Sequence, residues 1–179
     1  MSLIDPVIIR QSRVVDVKYH VRRRDKEITD IEAMKKVLKT TKYVTLALSM
    51  NDEPYLVTLS HGYDERHNCI YFHCAKEGKK IDYIRANDKV WGQAFIDHGY
   101  AEGKCNHIYT SVHFSGRITL IDDLEEKRKA MECMMRQLEK DPEPTIARLK
   151  PERLGSTAMG RVDIDYMSGK KPEETASQT

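Results

Sequence analysis

The chain has 179 residues, the size of one domain with one hydrophobic core, and its 40% hydrophobic and 32% charged residues exclude a fully disordered protein. Its 30 basic and 28 acidic residues leave a formal net charge of +2, which excludes a general electrostatic attraction to nucleic acid or anionic membranes. No stretch approaches the roughly 20 apolar residues of a membrane-spanning helix, so the sequence predicts neither nucleic-acid nor membrane partners.

The cysteines and the amino terminus indicate the compartment. Cys69, Cys74, Cys105 and Cys133 form no C-x-x-C pair, and the amino terminus has no apolar run of signal-peptide length. The sequence therefore predicts reduced thiols and a cytoplasmic protein.

The first elements are an arm and a helix. Residues 1–24 have no clear period, and we interpret them as an N-terminal arm able to pack on a neighbour. Thr29 and Glu32 match a capping box, which predicts a helix that runs to about Lys39. Its apolar residues recur at helical spacing: Ile31, Met34, Val37 and Leu38.

Three strands are predicted next. Residues 43–50 alternate between apolar and small polar side chains, as a half-buried strand requires. Polar turns then separate this strand from residues 54–63 and from residues 68–75. We expect these three strands to form an antiparallel meander.

The middle of the chain returns to strands after one helix. A short helix is predicted after Gly78, followed by a strand over residues 89–97, a loop over residues 98–106 and a long strand over residues 108–122. Gly116 predicts a bend in the long strand.

The last third contains a helix, a helical turn and a strand. Asp122 is expected to cap a helix from Leu124 to about Lys140. A helical turn is predicted over residues 146–149. The last strand is predicted over residues 157–166. The stripe on the long helix is typical of core: Leu124, Met131, Met134, Met135 and Leu138.

The order of elements predicts a fold that is mainly β with peripheral helices. Six antiparallel strands, joined mostly in sequence, favour a barrel over a doubly wound sheet. We assign residues 25–169 to this domain and interpret residues 170–179 as a disordered tail.

Residues 71–84, YFHCAKEGKKIDYI, are the most informative stretch. A strand ends, a turn with Gly78 follows, and a helix begins with Lys79 and Lys80. Free N–H groups and lysines at a helix start favour a dianionic phosphate. Solvated lysines after an ordinary turn are the equally weighted alternative.

Other polar residues give weaker signals. His73 and Cys74 are adjacent on a strand, so they cannot both face one ligand. The spacing of the His and Cys residues matches no standard zinc pattern, and we predict no metal site. Strand hydroxyls, among them those of Thr58, Ser60 and Ser111, could contact a planar ring, or they are exposed residues favoured by β propensity.

With these residues in view, the chain resembles the flavin-binding split barrels related to pyridoxamine 5′-phosphate oxidase, especially their nitroimidazole-resistance branch. The resemblance covers roughly residues 22–171. It rests on five segments: RRRDKEI (22–28), LALSMNDEPYLVTLS (46–60), IYFHCAKEGKKIDYIRAN (70–87), YTSVHFSGRITLIDD (109–123) and VDIDYMSGKK (162–171).

The resemblance implies a six-stranded antiparallel split β-barrel of the FMN-binding type and a homodimer with FMN at the subunit interface. It implies that Lys79 and Lys80 bind the phosphate and that His73 lies near the ring, with no catalytic residue assigned. The other cofactor-binding residues that it suggests are Val57, Thr58, Ser60, Cys74 and Ser111, with Arg23 and Arg24 as weaker candidates.

We expect an oxidoreductase that passes electrons from reduced flavin to a small acceptor such as a nitro compound. The flavin carries this chemistry itself, so no acid, base or nucleophile need stand out in the sequence. A non-catalytic flavin-binding or storage protein and a haem-binding split barrel are the alternatives.

Overall fold

The computed structural model describes residues 21–172, which form one antiparallel sheet with helices on its periphery. The strands are β1 (Glu27–Ile28), β2 (Tyr43–Met50), β3 (Glu53–Ser60), β4 (Gly62–Asp64), β5 (Cys69–Cys74), β6 (Lys89–Ala101), β7 (Asn106–Ile121) and β8 (Ala158–Lys170). The helices are α1 (Ile31–Thr40), α2 (Lys79–Ala86), α3 (Leu124–Leu138), α4 (Glu143–Ile146) and α5 (Pro151–Ser156), and a 3-10 turn covers Arg24–Lys26.

The predicted fold class is confirmed, although the strand count is eight in the described residues and not six. The two additional strands, β1 and β4, are two and three residues long. They are too short to show a periodic pattern, so they could not be predicted from the sequence.

The sheet order is β3-β2-β6-β7-β8-β5-β4, and β1 pairs with β8. The predicted meander is wrong, because β3 and β5 do not pair. The predicted strand over residues 54–63 breaks at His61, and the residues after the break pair with β5 near the other edge of the sheet. No backbone ladder joins β3 to β5 in the described chain, and this gap is the split of the barrel.

Strands β6 and β7 form one long hairpin where a loop is predicted. Pairing continues to Ala101 and Asn106, with a register shift at residues 98–99, where two residues of β6 lie opposite one residue of β7. Both strands are exposed in this segment, so its residues are mostly polar, and a polar segment of this kind is easily predicted as a loop. The bend predicted at Gly116 is present as a second register shift.

Helices α1, α2 and α3 lie close to their predicted ranges, but the caps of α1 and α3 differ from the prediction. The helical turn predicted over residues 146–149 lies earlier, as α4, and α5 was not predicted. Asp30 caps α1 by accepting from the N–H of Glu32, and Asp123 caps α3 by accepting from that of Glu126. The predicted caps, Thr29 and Asp122, each precede the true cap by one residue. Because Asp also serves as an N-cap, the sequence pattern left the position ambiguous.

Two clusters of side chains form the core. The larger fills the barrel and contains the fully buried Phe72 and Phe114. The smaller lies between the sheet and α3, where it contains Met134. Leu124, predicted in the core stripe of α3, is 46% exposed because it lies in the first turn, beyond the covered part of the helix.

The ends of the described region bear on the predicted domain boundaries. Lys170 is the last residue of β8, and the N–H of Lys171 donates to the carbonyl of Lys26 at 2.8 Å. Both residues, placed in the tail by the sequence analysis, therefore belong to the fold. The rest of the predicted arm and tail, residues 1–20 and 173–179, lies outside the described residues.

A buried polar cluster joins α1, α3 and the β3–β4 break. The amide nitrogen of Gln137 donates to the carbonyls of Leu38 and Thr41, and its oxygen accepts from the N–H of Tyr63. His61 has no exposed surface, and its Nε2 lies 2.9 Å from the carbonyl oxygen of Leu38. Because a carbonyl oxygen only accepts hydrogen bonds, Nε2 carries the proton of the neutral ring. Burial lowers the pKa of His61.

We expect stability to fall as the pH drops from 7.5 to 5.5. The pKa of His61 is near 6.5 in the unfolded chain and lower in the folded chain, so between these two values the unfolded chain binds more protons. In that range acid favours unfolding by up to about 1.4 kcal/mol per pH unit. In urea unfolding at several pH values, His61→Gln should give a flatter profile. His98→Gln is the control, at an exposed histidine whose ring lies 2.9 Å from the hydroxyl of Thr110 and is not hydrogen-bonded to a carboxylate of the described residues. Equal slopes in both variants would contradict the assignment.

No helix in residues 21–172 is long and apolar enough to cross a membrane.

Candidate functional site

The corner between β5 and α2 has the backbone of an anion site. Gly78 precedes α2 with φ of 117°, a conformation that glycine adopts and other residues avoid. Its carbonyl accepts from the N–H groups of Ile81 and Asp82, and no side chain caps the helix. Within residues 21–172 the N–H groups of Lys79 and Lys80 are therefore left without a protein acceptor.

The two lysines of this corner extend in different directions. The Lys79 ammonium lies 4.6 Å from the ring centroid of Tyr55 on β3 and 5.5 Å from that of Tyr83 on α2. Such cation–π contacts hold the ammonium group near the start of the helix. Lys80 lies on the β5 side, since its charge acts on His73 and Cys74.

His73 and Cys74 lie at the end of β5, and their side chains point in opposite directions, as predicted. His73 is exposed, whereas Cys74 packs against the main core. Although the residue as a whole is exposed, partial desolvation of the ring, followed by the charges of Lys80 and Arg153, lowers the pKa of His73. Burial raises the pKa of Cys74. A neutral imidazole and an un-ionised thiol follow, neither prepared as a nucleophile.

The second region is the face of the sheet that points away from the barrel core, here called the outward face. Cross-strand pairing places its side chains in three rows. The first row holds Leu56, Ala47, Trp91, Ser115 and Tyr166; the second holds Thr58, Thr45, Gln93, His113 and Ser168; the third contains Ser60 with Tyr43, and Phe95 with Ser111 and Lys170.

Large apolar side chains lie exposed on the outward face. Leu56 is 67% exposed, Tyr43 55% and Trp91 46%. Tyr109 stacks on Phe95 with ring centroids 5.2 Å apart, and its hydroxyl accepts from the Lys170 ammonium at 2.9 Å. A sheet face of this composition is typical of a surface that another protein covers.

Two grooves cross the outward face. One, of about 640 Å³, is lined by Trp91, Pro54 and Arg117 among others. The other, of about 400 Å³, is lined by Ser111, His113 and Lys170 among others. A groove of about 660 Å³ lies elsewhere, beside α3, but two of its four basic side chains, Lys39 and Arg136, are paired with carboxylates.

Three of the predicted site residues lie on the outward face. Thr58 is exposed and its hydroxyl lies 3.1 Å from that of Thr45. Ser60 is exposed at the edge of the sheet, and Ser111 is buried in the smaller groove. Val57 points the other way and packs against the core, because neighbouring residues of a strand face opposite sides.

The two arginines lie at the start of the described region, next to β1. Arg23 forms an ion pair with Asp25, and Arg24 begins the exposed 3-10 turn. Because β1 pairs with the end of β8, this segment lies at the Lys170 side of the sheet.

The predicted residues thus fall into separate regions of one chain. His73, Cys74, Lys79 and Lys80 meet at the β5–α2 corner. Trp91, Gln93 and His113 were not predicted as site residues from the sequence. The sequence of β6 could have indicated Trp91, because this strand has apolar side chains on both faces. Such a pattern predicts that both faces of the strand are covered by other parts of a protein.

A family comparison decides the relationship. The profile of the family described as Pyridoxamine 5′-phosphate oxidase matches residues 30–171, most of the chain. The chain belongs to the pyridoxamine 5′-phosphate oxidase family. No curated protein matches it significantly.

Solved structures share the fold of this family member. A protein of Bacteroides thetaiotaomicron, provisionally described as a 5-nitroimidazole antibiotic resistance protein, is 23% identical, with a TM-score of 0.70 over 80% of this chain and 85% of its own. The flavocytochrome Anf3 of Azotobacter vinelandii is 18% identical, with a TM-score of 0.74 over 88% and 74%. The FAD and heme binding protein of Mycobacterium smegmatis is 15% identical, with a TM-score of 0.72 over 86% and 77%.

Proposed function

We propose that this pyridoxamine 5′-phosphate oxidase family member binds FMN between two copies of itself and passes electrons from the reduced flavin to a small acceptor such as a nitro compound. The start of α2 is the observation that carries the proposal: two N–H groups, for which the described residues offer no acceptor, follow a glycine and lie beside two lysines. When bound, the flavin supplies the redox chemistry, and the protein binds and orients it.

The residues of the corner fit a terminal phosphate. Helix N–H groups and ammonium groups both favour a dianion, and Gly78 lets the backbone approach it without a side chain in the way. FMN ends in such a monoester, whereas the phosphates of FAD are diesters with less charge on each group. This difference favours FMN over FAD.

The outward face fits the planar ring and the second subunit. It combines aromatic surface with a few polar groups, among them Thr58, Ser111 and His113. Burial lowers the pKa of His113, so at neutral pH this ring hydrogen-bonds as a neutral group. A site completed by a second copy accounts for the separation of the candidate residues within one chain.

The dimer gives a direct prediction. Leu56→Asp puts a charge on the exposed apolar part of the outward face, where a partner would desolvate it. We expect the wild-type chain to sediment as a dimer and Leu56→Asp as a monomer. Leu124→Asp, at an equally apolar exposed position on α3, should remain dimeric; a monomeric wild type would contradict the proposal.

The flavin proposal is tested by titrating the protein with FMN, FAD and riboflavin. Binding should quench the fluorescence of Trp91, the single tryptophan, which lies on the outward face. FMN should bind most tightly, and riboflavin, which has no phosphate, most weakly. No quenching and no thermal shift at saturating FMN would rule the proposal out.

Turnover is tested separately, because a storage protein would also bind FMN. After anaerobic reduction, addition of nitro compounds or quinones should reoxidise the bound flavin faster than free FMN. Equal rates would leave a flavin-binding protein without enzymatic activity.

Haem is the second candidate, since two structures of the same fold are described as a flavocytochrome and as an FAD and heme binding protein. His73 and His113 are histidines at the two candidate regions whose rings would serve as axial ligands. The ring nitrogens of His113 lie 3.4 Å from the indole nitrogen of Trp91 and 3.2 Å from the amide nitrogen of Gln93, contacts that a bound haem would have to displace. A haem protein should show a Soret band on haem titration, and His73→Ala or His113→Ala should shift it.

A further inference from the structure

A small cavity behind α2 collects cationic side chains from three segments. Lys76 comes from the turn before α2, Arg85 from α2 and Lys127 from α3. Among the described residues that line the cavity, Asp122 is the single carboxylate, so these three cations and one anion give a net charge of +2. Such a concentration of positive charge attracts anions.

Lys127 is the unusual member of this group. Its side chain is only 7% exposed, and its ammonium donates to the Thr157 carbonyl at 3.2 Å. An ammonium has three N–H donors. Across residues 21–172 no other acceptor reaches this group, and no carboxylate lies within ion-pair distance of it.

A buried cation with unused donors is costly unless another group pairs with it. Lys76 and Arg85 also have no ion pair in the described part of the chain. The three cations therefore line one space, and no ion pair among the described residues neutralises any of them. The cavity has a volume of about 190 Å³. This is roughly the volume of six water molecules, enough for a tetrahedral oxyanion and some of its hydration.

We propose that this cavity, lined by Lys76, Arg85 and Lys127, is a second anion site that binds a phosphate group, distinct from the flavin phosphate corner. Three cationic side chains on separate segments can each donate to an oxygen of a tetrahedral anion, and the net charge of +2 balances a dianion. The two sites lie on different faces of α2: Ile81 and Arg85 line the cavity, whereas Lys79 lies over Tyr55 and Tyr83.

The volume favours inorganic phosphate over a nucleotide phosphate. The experiment therefore has two arms, inorganic phosphate and AMP, each titrated into protein with saturating FMN and followed by calorimetry and thermal shift. The expected result is binding of inorganic phosphate and weaker binding of AMP. Tighter binding of AMP would overturn the preference for inorganic phosphate and assign the site to the phosphate of a nucleotide. If substitution of Lys127 abolished the binding of AMP and of inorganic phosphate, the phosphate site would still lie in this cavity.

Two variants locate the site. Lys127→Met and Lys76→Ala should each weaken phosphate binding roughly tenfold or more, because each removes a charge-assisted bond. Lys129→Met, an exposed position on the same helix, is the control. Lys127→Met should melt no lower than the wild type, since an apolar side chain of similar size replaces a buried charge.

Three results would overturn the inference. The first is no phosphate binding at concentrations up to tens of millimolar. The second is binding lost in Lys79→Ala/Lys80→Ala and retained in Lys127→Met, which would mean phosphate occupies the flavin corner. The third is a lower melting temperature for Lys127→Met with unchanged phosphate affinity, which would make Lys127 a structural group.

Discussion

Replacing both Lys79 and Lys80 with alanine should weaken FMN binding by roughly 100-fold or more. Each lysine is expected to contribute a charge-assisted bond of about 1.5 kcal/mol to the phosphate, and each 1.4 kcal/mol is tenfold in affinity. The Lys79 ammonium is already held over Tyr55 and Tyr83, so it needs little rearrangement to meet the ligand. Fluorescence titration of the purified variant measures the loss.

The control is Lys36→Ala/Lys42→Ala, which removes the same charge from exposed positions away from α2. Affinity in this control should stay within a factor of about two of the wild type, because distant surface charges are screened by salt. The wild-type affinity should also fall with ionic strength. Riboflavin binding should be unaffected in both variants, and an equal loss of riboflavin would show that the lysines do not act through the phosphate.

Gly116→Ala should destabilise the fold by about 3 kcal/mol or more. A Cβ at this position would lie 1.9 Å from the carbonyl oxygen of Asp163 on β8, and backbone cannot move aside as a flexible side chain can. Gly116 also lies at the register shift between β7 and β8, two of the longest strands of the sheet. For a chain of this size the melting temperature should fall by roughly 6–12 °C.

Gly155→Ala is the matched control in α5. Its Cβ meets nothing within 4 Å, and alanine favours a helix, so stability should be unchanged or higher by up to about 1 kcal/mol. Similar melting temperatures for the two alanine variants would contradict this prediction, because they would show that β7 and β8 can move apart at Gly116 without loss of stability.

The regular helices and strands could be predicted because the spacing of apolar residues along the chain reflects which side chains are buried. Residues 43–50 became β2, and the helix after Gly78 became α2, each close to its predicted range. The meander failed because periodicity says which residues are buried but not which strand lies beside which. The break at His61 depends on contacts with Leu38 and Gln137, which are far apart along the chain.

The candidate site was predictable in part for the same reason. The β5–α2 corner is local in sequence, so a strand end, Gly78 and two lysines could be recognised together. The outward face is assembled from strands up to about 100 residues apart, and Tyr166 meets Trp91 only across β7. Lys127 gave no sequence signal, since its burial depends on how α3 lies against β8 and α5.

The most direct test of the account is a crystal structure of the protein with FMN. We predict the FMN phosphate within hydrogen-bond distance of the N–H groups of Lys79 and Lys80, and the ring against the outward face of a dimer. A structure in which both ammonium groups point into solvent, with the flavin bound elsewhere, would contradict it.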